Sequence, residues 1–319
     1  MRDRQRLLCA ALTLCLLHPA AGFGQAPRPP QLPAQKGPFL FPVGLKMPVS
    51  LPCYLWRGLP MVTGIINNNP QKFVVDTGLN AFTISPKAQT ALVLPFTKSR
   101  YRVTALDASA DVPAVAMKQL ALGGLVFNDA EAVILNLGGM FSPLNPPDAP
   151  QCWIGSPLLS AFQVTFDWKN NALLLDSPKA DAPQSDDAIV LPLTVKNGRI
   201  STRFLIPGAK SFSLLIDTGA PATILPLNMF DKLRVKLKIK PIKTQDIRLA
   251  NGRKAKAAQW ILPALPLGAA TLKTLPVVSI APDDPKDFDP DFGLLGMDVL
   301  GRYQVTINYA RAKMTLIPY

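Results

Sequence analysis

Apolar residues along this chain come in short runs broken at close intervals by glycine, proline and asparagine. That is the spacing of strands joined by tight turns, not of long helices. Phe73-Val74-Val75 and Leu214-Leu215-Ile216 are two such runs, and Phe204-Leu205-Ile206 is soon followed by Ser213 to Ile216. Two segments reverse at polar turns. Gln163 to Trp168 turns at Lys169-Asn170-Asn171 into Ala172 to Leu175, and Gln304 to Tyr309 turns at Ala310-Arg311-Ala312 into Met314 to Ile317. Helical spacing is confined to brief patches: Pro86 to Leu92, Pro157 to Ala161, Pro226 to Leu233 and Met297 to Tyr303. Val235, Leu237 and Ile239 alternate with Lys236, Lys238 and Lys240, which predicts a strand with one wet, charged face. The pattern as a whole predicts an all-β body with minor short helices.

The runs repeat at a fixed distance. Asp76-Thr77-Gly78 returns 141 residues later as Asp217-Thr218-Gly219, each copy following an apolar run. Ile154-Gly155 returns as Leu295-Gly296 at the same offset, Phe162-Gln163-Val164-Thr165 as Tyr303-Gln304-Val305-Thr306, and Trp168 as Tyr309. Four landmarks in one register indicate an internal duplication of a whole lobe. The expected organisation is a signal segment at 1–24, a proline-rich segment at 25–48, lobe one at 49–175, a polar linker at 176–188 and lobe two at 189–319. The proline-rich segment reads as a linker, a pro-like segment or a strand lying along lobe one.

Composition narrows the chemistry. Arg2, Arg4 and Arg6, then an apolar stretch from Leu7 to Leu17 and Ala20-Ala21-Gly22, have the layout of a secretory signal. The apolar stretch is too short for a permanent transmembrane helix. A released protein, secreted or periplasmic and without stable membrane insertion, is therefore expected, with an uncleaved N-terminal anchor as the alternative. The only histidine is His18, within that signal. This argues against Ser-His-Asp and Cys-His nucleophiles and removes the usual ligands of a catalytic zinc, so neither metal nor cofactor is expected. Loss of Cys9 and Cys15 leaves Cys53 and Cys152, either as one disulfide or as two buried thiols. The formal net charge is +13, and much of the excess lies between Lys232 and Lys256. Without interleaved aromatics this reads as a solvated face attracted to anionic envelope surfaces, and no nucleic-acid partner is expected.

What remains is the pair of aspartates. Two carboxylates about 3 Å apart cannot both ionise, so they share one proton. The ionised member can take a proton from water while the protonated member donates to a scissile carbonyl oxygen. Glycine after the threonine permits a tight turn whose N–H groups face the carboxylates, and the threonine hydroxyl can bond across a junction. A second element, apolar-apolar-Gly before a short helix, follows each aspartate by 79 residues at Trp153-Ile154-Gly155 and Leu294-Leu295-Gly296.

With both motifs present in both halves, the chain resembles a retropepsin-like aspartic peptidase of tandem-lobed, bacterial, exported type, over nearly everything after residue 49. The resemblance implies two pseudo-symmetric β-barrel lobes acting as a monomer on a polypeptide substrate. Asp76 and Asp217 would be the catalytic pair, Thr77, Gly78, Thr218 and Gly219 their supporting loops, and Gly155 and Gly296 structural glycines beneath. It also implies a flap, for which Asn251-Gly252 is the candidate tip in lobe two. The same offset in lobe one reaches Ala110-Asp111, without glycine, so a blunter flap is expected there. Leu79 follows the first Asp-Thr-Gly where active relatives carry a small residue, whereas Ala220 follows the second. Hence there are two other readings: a non-catalytic peptide-binding or inhibitory protein on the same fold, and a tandem protein whose lobes each pair with another chain.

Overall fold

Alternation becomes inside and outside in the first long strand: Val49, Leu51 and Cys53 are buried while Ser50, Pro52 and Tyr54 face solvent. The structure is a computed structural model that describes residues 39–40, 46–105, 108–135, 149–205, 211–248, 254–268, 270–282 and 291–319. In the first half the strands are β1 (Phe39–Leu40), β2 (Val49–Trp56), β3 (Leu59–Ile66), β4 (Asn69–Val75), β5 (Phe82–Ile84) and β6 (Phe96–Ala105). They continue with β7 (Ala108–Leu122), β8 (Leu125–Ile134), β9 (Cys152–Ile154), β10 (Gln163–Asp167) and β11 (Ala172–Asp176), and the helices are α1 (Pro86–Ala91) and α2 (Ser156–Leu159). The second half holds β12 (Ile189–Pro192), β13 (Thr194–Lys196), β14 (Arg199–Phe204), β15 (Phe212–Ile216) and β16 (Lys243–Arg248). It ends with β17 (Lys254–Leu267), β18 (Ala270–Pro282), β19 (Leu294–Leu295), β20 (Tyr303–Asn308) and β21 (Lys313–Pro318), with α3 (Leu227–Lys236) and α4 (Met297–Leu300) between strands. The fold is all-β with a few short helices.

In the first half β3, β4, β9, β5, β8 and β7 pair in that order, and a further β3–β7 pairing closes the ring. Closure leaves the interior to side chains such as Val62, Phe73, Ile84, Leu120 and Ile154, all buried. The β1 strand, from the proline-rich segment, pairs with β8 at Phe127 and Val126, so this part lies along the first half. In the second half β15 runs parallel to β19, as β4 runs parallel to β9. The bridges of Ile224 to Val278 and Leu294 repeat those of Thr83 to Val133 and Trp153.

The halves meet in one continuous run of strands, β12-β21-β20-β10-β11-β2. At its centre β10 and β20 pair antiparallel with Thr165 opposite Thr306, and their hydroxyls lie 2.9 Å apart. These two residues stand at equivalent positions of the repeat. Either side of them the equivalent positions are bonded twice, with the donor exchanged: Gln304 Nε2 donates to Asp167 Oδ2 (3.0 Å), and Asn308 Nδ2 donates to Gln163 Oε1 (3.1 Å). Burial pushes the Asp167 carboxyl up, but hydrogen bonds from Asn170, Gln304 and Tyr319 outweigh it and hold the group below its ordinary range.

One expectation is corrected and one pair of alternatives is decided. Residues 235–240 form no strand, because α3 runs on to Lys236. It stops in a Schellman closure, with Lys238 N–H donating to Val235 O (3.3 Å) and Ile239 N–H to Arg234 O (3.2 Å) while Lys238 takes φ +52°. On a last helical turn, Lys-Val-Lys-Leu alternation reads the same as on a strand. The cysteines are free. Cys53 lies opposite Val62, Val62 opposite Phe73 and Phe73 opposite Cys152, so two strands stand between the sulfurs. A disulfide needs Cα atoms within about 7 Å, and three strand spacings amount to roughly 14 Å along the sheet. Residues 1–24, most of 25–48 and the Asn251-Gly252 tip lie outside the described residues.

Candidate active site

Each Asp-Thr-Gly turn begins where a buried strand, β4 or β15, runs out beside a parallel partner. Asp76 N–H donates to Ile154 O (2.9 Å) and Asp217 N–H to Leu295 O (3.1 Å), which fixes each aspartate's backbone on the apolar-apolar-Gly element. After the turn the chain passes over that element. Ser156 N–H donates to Leu79 O (2.9 Å) and Met297 N–H to Ala220 O (2.8 Å). Gly155 and Gly296 lie beneath these crossings. A Cβ on Gly155 would stand 2.5 Å from Leu79 O, and one on Gly296 2.6 Å from Ala222 O, so any side chain would drive the two backbones apart.

The two turns face each other across the junction. Thr77 N–H donates to Thr218 Oγ1 and Thr218 N–H to Thr77 Oγ1, both at 3.1 Å. Each hydroxyl then donates to the strand of the opposite half: Thr77 Oγ1 to Ile216 O and Thr218 Oγ1 to Val75 O, both at 2.7 Å. All four bonds are buried, and neither threonine has any exposed surface. Gly78 lies against the Asp217 carboxyl and Gly219 against that of Asp76. A Cβ on Gly78 would meet Asp217 Cγ at 2.7 Å, and one on Gly219 would overlap the Asp76 carboxyl. The third letter of each motif is therefore set by the carboxylate of the other copy.

The carboxyl groups of Asp76 and Asp217 face each other across the junction and are electrostatically coupled. Both residues are more than nine-tenths buried, at 7% and 8% exposure. Each carboxyl also accepts from its own glycine: Gly78 N–H to Asp76 Oδ1 (2.8 Å) and Gly219 N–H to Asp217 Oδ1 (2.9 Å). Burial, then the charge of Asp217, raises the Asp76 carboxyl well above the ordinary range. Burial also raises Asp217, opposed by Asp76, the N–H groups of Gly219 and Ala220 and the Arg199 charge. Each carboxyl acts on the other, so the two titrate as a coupled pair.

Three neighbours escaped the sequence reading. Arg199 opens β14 after an Asn197-Gly198 turn and favours the charged form of both carboxyls. That turn belongs to the second half, yet a Cβ on Gly198 would overlap Ser156 Oγ and stand 3.5 Å from Asn80 in the first. Its only sequence signal is the hairpin dipeptide itself. Asp298 accepts from Thr223 Oγ1 (2.7 Å) and Thr223 N–H (3.0 Å), and Gly296 N–H donates to Thr223 Oγ1 (3.1 Å). An acid one residue inside a buried apolar element was the available cue. Tyr309 is buried behind the site with its hydroxyl unpartnered, whereas Trp168, its counterpart, donates Nε1–H to Leu300 O (3.2 Å).

Leu79, expected beside the carboxylates, packs against the apolar cluster of Leu59, Met61, Val74 and Trp153. The lobe-one hairpin exists, but its tip is not at Ala110-Asp111. Asp111 of β7 pairs with Arg102 of β6, and the two strands pair on as far as Ala105 and Ala108. In the second half the hairpin pairs as far as Arg248 and Lys254. No group of three or more His, Cys, Asp or Glu suited to a metal occurs among the described residues.

The family model for a gag-polyprotein putative aspartyl protease matches residues 203–302. The model named aspartyl protease matches residues 62–157. No curated protein matches the chain. The two matches fall one on each copy of the repeat and support a retropepsin-like aspartic protease.

Proposed function

We propose that the protein is an aspartic endopeptidase whose catalytic pair is Asp76 and Asp217. The observation that carries this reading is the facing pair: two buried, electrostatically coupled carboxyl groups, one from each half, held by crossed threonine bonds. In the reaction, Asp217 takes a proton from a water held between the pair as the water oxygen bonds to the scissile carbonyl carbon. Asp76 gives its proton to the carbonyl oxygen, so a neutral gem-diol forms and the single proton of the pair has moved across to Asp217. Collapse transfers a diol proton to Asp76 while Asp217 protonates the leaving nitrogen. The C–N bond breaks and the pair is restored with one proton. Donors and acceptor are in place before substrate arrives, so little reorganisation is needed.

Raised carboxyls extend the singly protonated state upward from acid, and the reading assigns the loss of activity at higher pH to ionisation of Asp76. Thr77, Gly78, Thr218 and Gly219 hold the pair, Gly155 and Gly296 admit the loops, and the two hairpins, with Asn251-Gly252 at one tip, would close over a polypeptide. Residues 49–175 and 189–319 act as two lobes of one monomer, joined by 176–188 and exported by 1–24. The β10–β20 pairing within one chain supports intramolecular rather than intermolecular partnership of the lobes.

The test is cleavage of a denatured protein between about pH 3 and 7. Wild type should cut and Asp217→Asn should not. Cleavage that survives Asp217→Asn overturns the shared pair. A wild type that binds denatured protein without cutting it would favour the non-catalytic binding reading.

A further inference from the structure

A dense patch of exposed positive charge stands where α3 ends and the chain turns into β16. The helix buries Met229, Phe230 and Leu233, and its remaining surface faces solvent. Lys232, Lys236, Lys238, Lys240 and Lys243 are all exposed. The Asp231 carboxylate is bound by Arg234 at 2.7 Å. Between these cations the fold leaves three aliphatic side chains in water: Val235 is 69% exposed, Ile242 60% and Leu237 38%.

That exposure is built in. The helix closure pins Lys238 and Ile239, Ile239 packs against the core, and Ile242 N–H donates to Gln259 O (2.8 Å). The aliphatic residues therefore sit on a backbone fixed at both sides of the corner. A purely solvated basic face has no use for them. A surface for single-stranded nucleic acid would carry aromatic stacking platforms, and no aromatic residue occurs between positions 231 and 243. Lysines interleaved with aliphatic side chains match an anionic lipid surface, where the charges meet phosphates and the apolar groups enter the headgroup boundary.

We propose that the corner formed by the end of α3 and the turn into β16 docks the protein on anionic lipid membranes. The lysine ammonium groups lie at the phosphate level with their stems along the surface, and Val235, Leu237 and Ile242 enter beneath them. Docking here is peripheral and reversible, and it falls with salt because much of it is charge attraction.

The experiment measures binding to vesicles of phosphatidylglycerol and phosphatidylcholine in equal parts, against phosphatidylcholine alone. The protein is used after removal of residues 1–24, which leaves every described element in place. Wild type should bind the mixed vesicles and not the neutral ones. Lys238→Gln/Lys240→Gln/Lys243→Gln should weaken binding on the order of 100-fold, at about fivefold per lysine. A control triple on other exposed lysines, Lys72→Gln/Lys169→Gln/Lys313→Gln, should change it little. Val235→Ser/Leu237→Ser/Ile242→Ser should weaken it at least tenfold with thermal midpoint unchanged; if that variant does not fold, the two lysine triples decide. Equal loss in both lysine triples overturns the proposal, as does equal binding to neutral vesicles or none to mixed ones. Single-stranded DNA binding as tight as vesicle binding, insensitive to the serine changes, would assign the corner to polyanions instead.

Discussion

Thr218→Val removes one hydroxyl and leaves the side-chain shape almost unchanged. Two bonds go with it: the one accepted from Thr77 N–H at 3.1 Å and the one donated to Val75 O at 2.7 Å. Both are fully buried, so neither backbone group recovers a bond to water. Leaving a buried donor or acceptor without its partner costs about 1–3 kcal/mol, which puts the loss of two at roughly 2–6 kcal/mol. For a chain of this size that is a fall of about 3–10 °C in thermal midpoint. Thr77→Val should cost the same, because it removes the mirror pair to Thr218 N–H and Ile216 O. Thr218→Ser keeps the hydroxyl and should lose less than about 1 kcal/mol, the value of a buried methyl. Proteolytic activity of Thr218→Val, measured well below its melting range, should drop more than tenfold, since the bonds hold the carboxyl pair in register. The assay is a thermal melt beside peptide cleavage for the three variants. If Thr218→Val melts within about 1 °C of wild type, or if serine costs as much as valine, the crossed hydroxyls do not hold the halves together and the energetic argument fails.

Asp76→Asn should stabilise the protein near neutral pH while abolishing cleavage. Burial raises the folded pKa of Asp76, so the folded state binds more protons than the unfolded one, and stability falls as pH rises above about 4 towards the folded pKa. Asparagine removes that loss, so the variant's melting advantage should be small at pH 4 and grow to pH 7; an advantage that shrinks would reverse the sign. Burial pushes the thiols of Cys53 and Cys152 up to about 12, so neither should react with a thiol reagent at pH 8 until denaturant is added, when both should titrate. Tyr309→Phe deletes a buried hydroxyl that has no hydrogen-bond partner and should stabilise by about 1 kcal/mol in denaturant unfolding. A loss of more than 1 kcal/mol would show that the hydroxyl is bonded.

The repeat was legible because it rests on local signals. Phe73-Val74-Val75 before Asp-Thr-Gly and Trp153-Ile154 before Gly155 are buried runs that stop at obligatory glycines, and period-two strands show in the same way. Residues 235–240 were misread since Lys-Val-Lys-Leu fits either period. What decides it is the closure at Lys238, where lysine takes the left-handed conformation usually left to glycine. Arg199 was invisible because its importance comes from where a hairpin of one half lies against the other, and sequence spacing carries no trace of that. The cysteines needed a register, not a composition: the Cys53-Val62-Phe73-Cys152 row exists only once strand order is known.

The expected inequality of the two copies lies beneath the aspartates, not beside them. In the second half Asp298 ties α4 to Thr223, and Thr223 to Gly296. The equivalent positions in the first half are Pro157 and Phe82, which can make neither bond. There Ser85 serves instead: its hydroxyl caps α1 at Ala88 N–H (3.0 Å) and donates to Gln151 Oε1 (2.5 Å). Bonds that cross between halves have not diverged in this way. The Thr77–Thr218 exchange, the packing of Gly78 and Gly219 on opposite carboxyls, the Thr165–Thr306 contact and the paired glutamine bonds each recur at the 141-residue offset. The difference has a physical cause. A residue on the junction meets a residue of the other copy, so changing one copy breaks a contact that both halves need. A residue supporting a single loop answers only to its neighbours and can be replaced by any other bond that holds the loop. The surviving identity between the copies therefore marks the surface on which the two carboxyls are brought together.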